Sequence, residues 1–321
     1  MSETTIELSS FAIDIKQGLS QKPKQLSSKY FYNAIGDMLF QKIMELDEYY
    51  LTRSEFEILS EQKEEILKAF LGDDSSFRLV ELGAGDGTKT KVLLESFSKK
   101  GVDFAYSPID ISHSVLDQLE GDLNKNLPSV KVEPIQGDYF EALRELKRNY
   151  DLKEVVLFLG STIGNFNYSQ GIGFLKQLSE DMSTGDLLFI GFDLKKDPQV
   201  ILRAYNDAKG ITAEFNLNLL DRINNELGGD FDRNAFAHYP TYDPLTGETK
   251  SYLISNKRQT VYIEVLDQEF TFEKDEAIFM EISQKYSLEM IEECATQAGF
   301  KIVQKFFDQK DYFVDALWEK V

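Results

Sequence analysis

The sequence is poor in the residues that form disulfides and bind structural metals. Its 321 residues include one cysteine, Cys294, and two histidines. A single cysteine excludes a disulfide framework within the chain. With so few thiolate and imidazole ligands, we expect no structural zinc site and no other metal site. The low cysteine content also fits a reducing compartment such as the cytosol.

Long apolar runs and an excess of positive charge are absent as well. The longest apolar stretch, 155–159, is far shorter than the ~18 residues of a membrane span, and residues 1–11 lack the features of a signal peptide. Acidic residues number 55 and basic residues 35, so the net charge is −20. Such a surface repels phosphate groups. We therefore expect a cytoplasmic, monomeric protein that binds a small molecule, and neither nucleic acid nor membranes.

Strands and helices alternate through much of the chain, after a helical segment of about seventy residues. Short apolar segments predict strands at 77–82, 105–111, 130–135, 155–159 and 186–192. An amphipathic helix is predicted over 114–127, and a late helix over 288–298 precedes a closing antiparallel pair at 300–306 and 312–318. This alternation predicts an α/β fold with a doubly wound, mostly parallel sheet.

The alternation is interrupted between about residues 197 and 285. The patterns there predict helices over 200–209 and 213–227, then antiparallel strands at 249–254, 259–265 and 269–272. We interpret this stretch as an α+β lobe inserted into the sheet domain, above the carboxyl edge of its strands, with the ligand between them. The predicted boundaries are 20–196 with 286–321 for the sheet domain, and 1–19 with 197–285 for the lobe.

One helix of the N-terminal segment has clear end signals. Ser54 followed by Glu57 has the spacing of a capping box, in which both side chains bond to free backbone amides. Apolar residues then recur at helical spacing until Gly72, a typical helix stop. We therefore predict that a helix begins at Ser54 and ends near Gly72.

A glycine-rich turn follows the first predicted strand. It reads Glu-Leu-Gly-Ala-Gly-Asp-Gly, with Gly83 and Gly85 placed where a ligand could approach the backbone ahead of a helix. An ordinary strand-to-helix turn is the alternative. Dinucleotide-binding enzymes seat a pyrophosphate with Gly-x-Gly-x-x-Gly. The spacing here suits a ligand without pyrophosphate, such as S-adenosylmethionine (SAM).

Acidic residues follow the next two strands. Asp110 ends the second strand, where a carboxylate can accept hydrogen bonds from two ribose hydroxyls. It could instead cap the next helix, although Ser112 could do that. After the third strand, Asp138 can accept from the adenine amino group while Tyr139 covers the ring, although Gly-Asp is also common in turns. Together with the glycines, these residues predict SAM as the cofactor.

The fourth predicted strand leads into Gly-Ser-Thr-Ile-Gly-Asn, which ends at Asn165. Open α/β sheets place their reacting groups at the carboxyl ends of the strands. Asn165 is therefore a candidate to bind the nucleophile. The alternative is a loop asparagine that bonds its own backbone.

Nearly the whole chain resembles the histidine-specific, SAM-dependent methyltransferases of the ergothioneine pathway. The segments that carry the resemblance are 30–37, 39–40, 48–55, 81–85, 158–165, 191–197, 204–207, 224–228 and 281–286. Segments 49–55 and 160–165 are far more specific than the glycine turn. The resemblance implies a class I methyltransferase fold and methylation of the α-amino group of L-histidine to trimethylhistidine (hercynine).

The resemblance also implies roles for individual residues. The positions that would hold the cofactor, beside Gly85, are Gly83, Lys89, Asp110, Asp138 and Tyr139. The positions that would bind the carboxylate and amine of the amino acid are Tyr49, Asn165 and Tyr205. Glu281 and Ser283 would bind the imidazole, with Tyr32 nearby, so that Asn165 and Tyr32 are the catalytic candidates. Two residues apart on an extended segment, Glu281 and Ser283 would face the same side.

The substrate side chain is the least constrained part of this prediction. Tyr252 stands beside the imidazole site, where the family often has methionine, and a fungal relative of the same plan methylates an indole amino acid. Another aromatic amino acid, such as tryptophan, is therefore an alternative substrate. A non-catalytic adenosine-binding module is a second alternative, and the glycine spacing disfavours a third, a nicotinamide dehydrogenase.

Overall fold

A computed structural model of the chain describes residues 8–149 and 152–321. The chain divides into two compact units, which we call the insert unit and the sheet unit. The insert unit comprises the described part of Met1–Tyr50 together with Lys196–Ser283, and the sheet unit comprises the described part of Leu51–Lys195 together with Gln284–Val321. The predicted boundary at residue 20 differs from this division, because apolar residues between 20 and 50 belong to the core of the insert unit.

The described ranges contain eleven α-helices. They are α1 Ser10–Ser20, α2 Ala34–Met44, α3 Leu51–Glu61, α4 Lys63–Leu71, α5 Thr90–Lys99, α6 His113–Asn126, α7 Tyr139–Asn149, α8 Tyr168–Asp181, α9 Pro198–Ala204, α10 Ile211–Leu227 and α11 Leu288–Gln297. None of these helices combines the length and apolarity needed to cross a membrane.

Fourteen β-strands lie in the same ranges. They are β1 Lys24–Gln25, β2 Ser76–Leu82, β3 Asp103–Asp110, β4 Lys131–Val132, β5 Ile135–Gln136, β6 Glu154–Phe158, β7 Leu187–Asp193, β8 Phe236–Tyr242, β9 Glu248–Ser255, β10 Gln259–Ile263, β11 Gln268–Phe272, β12 Ala277–Gln284, β13 Phe300–Phe307 and β14 Phe313–Lys320.

The sheet unit is built on one mixed sheet whose order is β13-β14-β7-β6-β2-β3-β4, with β5 also paired to β3. The strands from β7 to β4 pair in parallel, and β13 and β14 add an antiparallel edge. Every residue of β6 and β7 is buried, as expected for central strands with helices on both faces. Apolar cores cover both faces of the sheet. The predicted doubly wound α/β fold is therefore confirmed.

The insert unit contains a four-stranded sheet of order β1-β12-β9-β8 and a separate hairpin of β10 and β11. Its core combines this sheet with α1, α2 and α10. The predicted strands at 249–254, 259–265 and 269–272 are present, but the last two pair with each other outside the four-stranded sheet. Strand β8 was not predicted, because its sequence carries a proline, Pro240, and little alternation.

Two local predictions differ from the structure, and two helices were not predicted. Ser54 lies inside α3, where its hydroxyl donates to Asp308 (3.0 Å). The predicted helix is therefore wrong at its start, and it is also divided at Gln62, although it does end at Gly72. The predicted strand at 130–135 is two short strands, because Pro134 between β4 and β5 has no amide to donate. Helices α7 and α8 were not predicted.

Candidate active site

The glycine turn after β2 has a backbone that only glycine adopts readily. Gly83 and Gly85 have φ values of +72° and +54°. A β-carbon on Gly83 would lie 2.7 Å from the hydroxyl of Tyr139, whereas one on Gly85 would meet no atom within 4 Å. Position 83 therefore requires glycine, because the side chain of Tyr139 approaches it closely. Gly85 presents an open stretch of backbone.

Asp110 ends β3, beside the glycine turn. The amide of Gly83 donates to the carbonyl of Ile109 (2.9 Å), which fixes the turn against the end of this strand. The Asp110 carboxylate accepts at Oδ1 from the amide of Ser112 (2.9 Å). Ser112 itself caps α6 by accepting from the amide of Val115. Asp110 is thus not the residue that caps the helix, in agreement with the sequence analysis.

Asp138 and Tyr139 follow β5 at the start of α7. The Asp138 carboxylate accepts at Oδ1 from the amide of Phe140 (3.0 Å), so this residue does cap a helix turn. Burial and then the carboxylates of Asp110 and Asp138 raise the pKa of Tyr139. The predicted residues Gly83, Asp110, Asp138 and Tyr139 are therefore brought together at one edge of the sheet.

This edge fits SAM. The ligand has a nucleoside, which needs hydrogen-bond acceptors and an aromatic cover, and an amino-acid end, which needs an open backbone and charged partners. Asp110 and Asp138 use Oδ1 for backbone amides, and each carboxylate has a second oxygen that can accept from a ligand. Gly85 supplies the open backbone.

Lys89 precedes α5 and forms an ion pair with Glu55 of α3. The Glu55 carboxylate is fully buried and accepts a second bond, from the amide of Gly160 (2.6 Å), directly after β6. A β-carbon on Gly160 would lie 3.6 Å from the ammonium of Lys89. The cation next to the glycine turn is therefore held by a carboxylate to which the sequence analysis assigned no role. Its only sequence signal is its place in the specific segment 49–55.

Glu81, the acid that precedes the glycines, is buried within the sheet unit. Its carboxylate accepts bonds from the hydroxyls of Thr90 (2.7 Å) and Tyr106. Burial raises the pKa of Glu81 to about 7 despite these bonds. Glu81 therefore fixes the start of α5 against the sheet.

Asn165 ends a short 3-10 helix, Thr162–Asn165, that follows β6. Ser161 begins this helix with a left-handed backbone, φ +53°, and its hydroxyl accepts from the amide of Asp193 at the end of β7 (3.1 Å). Asn165 itself is exposed. The loop is thus anchored to the neighbouring strand, and Asn165 lies at the carboxyl edge of the sheet as predicted.

Glu281 and Ser283 lie in β12 of the insert unit. Strand alternation places both side chains on the half-buried face, whereas Ile278 and Met280 face the apolar core. The hydroxyl of Tyr205 donates to the hydroxyl of Ser283 (2.8 Å). The structure therefore confirms that Glu281 and Ser283 share a face and brings Tyr205 to the same face.

Aromatic rings surround these polar groups. Tyr49 meets Tyr205 edge to face at 6.5 Å, and Tyr32 meets Phe215 at 5.7 Å. Desolvation raises the pKa of Tyr32, and the carboxylate of Glu281 adds to this increase. Tyr32 and Glu281 are thus close enough to interact electrostatically, although Tyr32 as a whole residue is about half exposed.

Tyr252 projects from β9, the strand beside β12. Its ring contacts that of Phe279 at 5.9 Å, and Phe279 lies on the same face of β12 as Glu281. The side chain is half-buried. Tyr252 therefore extends the aromatic surface on the face that carries Glu281 and Ser283.

His238 of β8 forms a hydrogen bond with the backbone of Tyr205. Its Nε2 lies 3.0 Å from the carbonyl of Tyr205, and because a carbonyl only accepts, Nε2 carries the hydrogen. Burial lowers the pKa of His238. His238 was not predicted as part of the site, since an isolated histidine in a strand gives no signal of its partner.

The predicted residues thus form one group in each unit. The sheet unit carries Gly83, Gly85, Lys89, Asp110, Asp138, Tyr139 and Asn165, and the insert unit carries Tyr32, Tyr49, Tyr205, Tyr252, Glu281 and Ser283. The ligands assigned to these residues stay predictions.

Most of the chain is similar to known proteins. A family profile described as "Histidine-specific methyltransferase, SAM-dependent" matches residues 11–320. A histidine N-alpha-methyltransferase of Mycobacterium tuberculosis is 35% identical over 300 residues, which cover 94% of this chain and 92% of that protein.

More distant relatives are fungal. Ergothioneine biosynthesis protein 1 of Schizosaccharomyces pombe is 32% identical over 89% of this chain and 38% of that protein. L-tryptophan methyltransferase trpM of Psilocybe serbica is 28% identical over 92% of this chain and 89% of that protein. The family profile spans nearly the whole chain, and the chain therefore belongs to the histidine-specific, SAM-dependent methyltransferases.

Proposed function

We propose that this enzyme transfers methyl groups from SAM to the α-amino group of free L-histidine and forms trimethylhistidine (hercynine). The observation that carries the proposal is the polar face of β12, where Tyr205 donates to Ser283 and Glu281 lies on the same side. This face combines groups suited to an imidazole with an aromatic surrounding. The family to which the chain belongs supports the same reaction.

The sheet unit would hold the cofactor. Asp110 would accept from the ribose hydroxyls, Asp138 from the adenine amino group, and Tyr139 would cover the ring. Lys89 would face the carboxylate of the methionine part, beside the open backbone of Gly85. When bound, SAM supplies a methyl group on a positively charged sulfur, which is already a strong electrophile. The protein therefore contributes mainly position and desolvation.

The insert unit would select the side chain of the substrate. A partly buried carboxylate such as that of Glu281 needs a hydrogen-bond donor, and an imidazole N–H provides one. Ser283 can donate to or accept from the other ring nitrogen, whichever is protonated. Phenylalanine offers neither group, and tryptophan offers one donor on a larger ring beside Tyr252. We therefore expect a preference for histidine over tryptophan, and for tryptophan over phenylalanine.

Asn165, Tyr49 and Tyr205 would bind the carboxylate and amine of histidine and align the amine with the methyl group. The amine must be neutral to attack, and it can lose its proton to solvent. Tyr32 keeps its own proton at neutral pH, since the ordinary pKa of tyrosine is about 10 and that of Tyr32 is raised further. We therefore assign Tyr32 a hydrogen-bonding role at the amine, and no role as a general base. Three methyl groups require three rounds, with exchange of the cofactor between them.

The proposal is tested by incubating the protein with SAM and histidine, tryptophan or phenylalanine, and by following each product by mass spectrometry. We expect histidine to gain up to three methyl groups and to give the highest kcat/KM. Methylation of an apolar amino acid without methylation of histidine would refute the proposed substrate. Failure to methylate any of the three would refute the proposed reaction.

Substitution of Glu281 tests whether this residue determines the preference for histidine. In Glu281→Ala, kcat/KM for histidine should fall at least tenfold, while the Kd for S-adenosylhomocysteine (SAH) changes less than twofold. Glu269→Ala, which removes an exposed carboxylate from β11 in the same unit, is the matched control. Equal losses for histidine and phenylalanine in Glu281→Ala would contradict the role of Glu281 at the imidazole.

The proposed substrates are small soluble molecules, which supports the expectation of a cytoplasmic enzyme that needs no macromolecular partner. Cytoplasmic location and a monomeric state stay predictions. Cell fractionation and light scattering on the purified protein measure them directly.

A further inference from the structure

We propose that Glu55 is a positioning residue that holds the ammonium of Lys89 at the glycine turn for the carboxylate of the methionine part of SAM. The inference rests on the proposed function for the identity of this ligand. It assigns a role to a residue of α3, a helix that lies outside the strand-to-helix turns where the predicted cofactor residues are found.

Glu55 makes two hydrogen bonds from a fully buried position. One carboxylate oxygen accepts from Lys89, and the other accepts from the amide of Gly160 (2.6 Å). The Glu55 side chain is 0% exposed, whereas that of Lys89 is 23% exposed. Burial and the two hydrogen bonds restrict the carboxylate, whereas the side chain of Lys89 keeps some exposure to solvent.

The two donors belong to the two loops that matter most for the proposed reaction. Lys89 lies two residues after the glycine turn and directly before α5. Gly160 follows β6 and begins the loop that leads to Asn165. A single buried carboxylate therefore fixes the cation beside the cofactor site and the backbone that leads to the candidate amine-binding residue.

The surrounding strands leave room for this carboxylate. Gly191 of β7 pairs with Asp315 of β14, and a β-carbon on Gly191 would lie 2.5 Å from Oε1 of Glu55. The same β-carbon would lie 3.0 Å from Oδ1 of Asp315, so the two carboxyl groups are neighbours. Any larger residue at position 191 would displace Glu55.

Asp315 does not compete with Glu55 for the lysine. Both of its oxygens are buried, and neither has a hydrogen-bond partner within the described residues. Burial, and then the charge of Glu55, raise the pKa of Asp315 well above its usual range, which favours the neutral form of this group. Of these two neighbouring carboxyl groups, Glu55 is the one that forms an ion pair with Lys89. The other buried acid at this turn, Glu81, bonds to Thr90 and Tyr106 instead.

This arrangement prepares Lys89 for a ligand before the ligand binds. A free lysine side chain must lose rotamer freedom when it contacts a carboxylate, and that cost weakens binding. Glu55 imposes the restriction in advance. A ligand carboxylate would then meet an ammonium that is already placed, in a partly desolvated position where charged hydrogen bonds are strong.

The test is the affinity for SAH, which shares the amino-acid end of SAM, measured by titration calorimetry without turnover. Glu55→Gln retains one acceptor for two donors and presents an amide to Lys89, so the Kd for SAH should rise at least fivefold. Glu154→Gln is the matched control, because Glu154 is a buried glutamate at the opposite end of β6. In the control, the Kd should change less than twofold.

A double-variant cycle separates positioning from a general structural effect. If Glu55 acts through Lys89, adding Glu55→Gln to Lys89→Met should raise the Kd less than twofold beyond Lys89→Met alone. A rise of less than fivefold in Glu55→Gln, tighter binding, or fully multiplicative losses in the double variant would overturn the inference. Should Glu55→Gln or the Lys89 variants fail to fold, Glu55→Asp keeps the charge but is too short for both donors, and the same fivefold criterion applies.

These outcomes are distinguishable from failure of the proposed function. If histidine is not methylated but SAH binds and the cycle behaves as expected, the inference about Glu55 stands and only the amino-acid substrate is wrong. If the wild-type protein does not bind SAH at all, both the cofactor assignment and this inference are wrong.

Discussion

At the scale of single residues, three buried acids of the sheet unit show how carboxyl groups are accommodated away from water. Glu55, Glu81 and Asp315 are all nearly inaccessible to solvent. Each is accommodated differently: Glu55 forms an ion pair, Glu81 accepts from two hydroxyl donors, and burial raises the pKa of Asp315 well above its usual range, which favours its protonated form. Ionisable groups with raised pKa values, such as Glu81 and Asp315, cluster at functional sites more often than elsewhere.

Glu81 makes the stability of the protein depend on pH. Its pKa is raised from the ordinary value of 4.5 to about 7 in the folded chain. Between these values the unfolded chain has released the proton that the folded chain keeps, so the free energy of unfolding falls as pH rises from about 4.5 to about 7. Glu81→Gln removes this contribution. As pH rises through this range, the unfolding free energy of the variant relative to that of the wild type should therefore increase by up to about 3 kcal/mol.

Urea unfolding at pH 5 and pH 8 measures this shift. Glu154 and Asp186 also have raised pKa values and therefore contribute to the pH dependence of the wild type. The quantity compared between proteins is thus the change in unfolding free energy from pH 5 to pH 8. Glu95→Gln, at an exposed position on α5, should follow the wild type at both pH values. If the unfolding free energy of Glu81→Gln changed between the two pH values by the same amount as that of the wild type, a raised pKa for Glu81 would be contradicted.

At the scale of elements, strand alternation and helix caps determine where the candidate site residues lie. In β12, alternation places Glu281 and Ser283 on one face and Met280 on the other, so a shift of one residue would bury the carboxylate in the core. In the sheet unit, Asn165 is followed almost at once by α8. The start of that helix therefore affects how the loop is held.

Asn167 is the N-cap of α8, and it forms a capping box with Gln170. The Asn167 side chain accepts from the amide of Gln170 (2.9 Å), and the Gln170 side chain accepts from the amide of Asn167 (3.1 Å). Asn167→Ala should lower the unfolding free energy by about 1 kcal/mol, because it leaves helix amides without partners. Chemical unfolding measures the loss. Ser169→Ala, exposed in the first turn of the same helix, should change stability by less than about 0.5 kcal/mol.

At the scale of the whole molecule, the dominant feature is the net charge of −20. Like charges on a folded surface repel one another, and dissolved salt screens this repulsion. Some exposed ion pairs would be weakened by the same salt, but such pairs contribute little individually. We therefore expect screening of the net repulsion to dominate.

The melting temperature should accordingly rise when NaCl is increased from about 20 mM to about 300 mM at pH 7.5, as the Debye length falls from roughly 20 Å to less than 10 Å. Differential scanning calorimetry measures the change. The control is the same salt series near the isoelectric point of about 4.6, where the net charge is small and the effect should shrink. A melting temperature that falls with salt at pH 7.5 would show that specific ion pairs outweigh the net repulsion.

Much of the fold was predictable, because it depends on local patterns. Apolar runs such as that of β6 and β7 are read directly from the sequence, and the cap of α6 at Ser112 was recognisable as an alternative to Asp110. Ser54 shows the limit of such patterns. Its spacing to Glu57 suits a helix start, but the helix begins earlier, and the hydroxyl bonds to Asp308 from a distant part of the chain.

The candidate site was predictable for different reasons in its different parts. Gly83, Asp110 and Asp138 follow successive strands, so the geometry of a parallel sheet brings them to one edge. No comparable rule of sheet geometry applies to the predicted residues of the insert unit. Tyr205 and Ser283 are 78 residues apart, and only the resemblance to a family joined them before the structure placed their hydroxyls 2.8 Å apart.

The sequence by itself determined the α/β class, the glycine turn, the order of the acidic residues and the family, because each depends on spacing along the chain. Only the tertiary structure decided that residues 20–50 join the insert unit and that Glu55 pairs with Lys89. Such partners lie far apart in sequence, and a buried carboxylate can be satisfied by many different donors. Which donor it meets depends on how helices and strands pack, and that information is not carried by any local pattern.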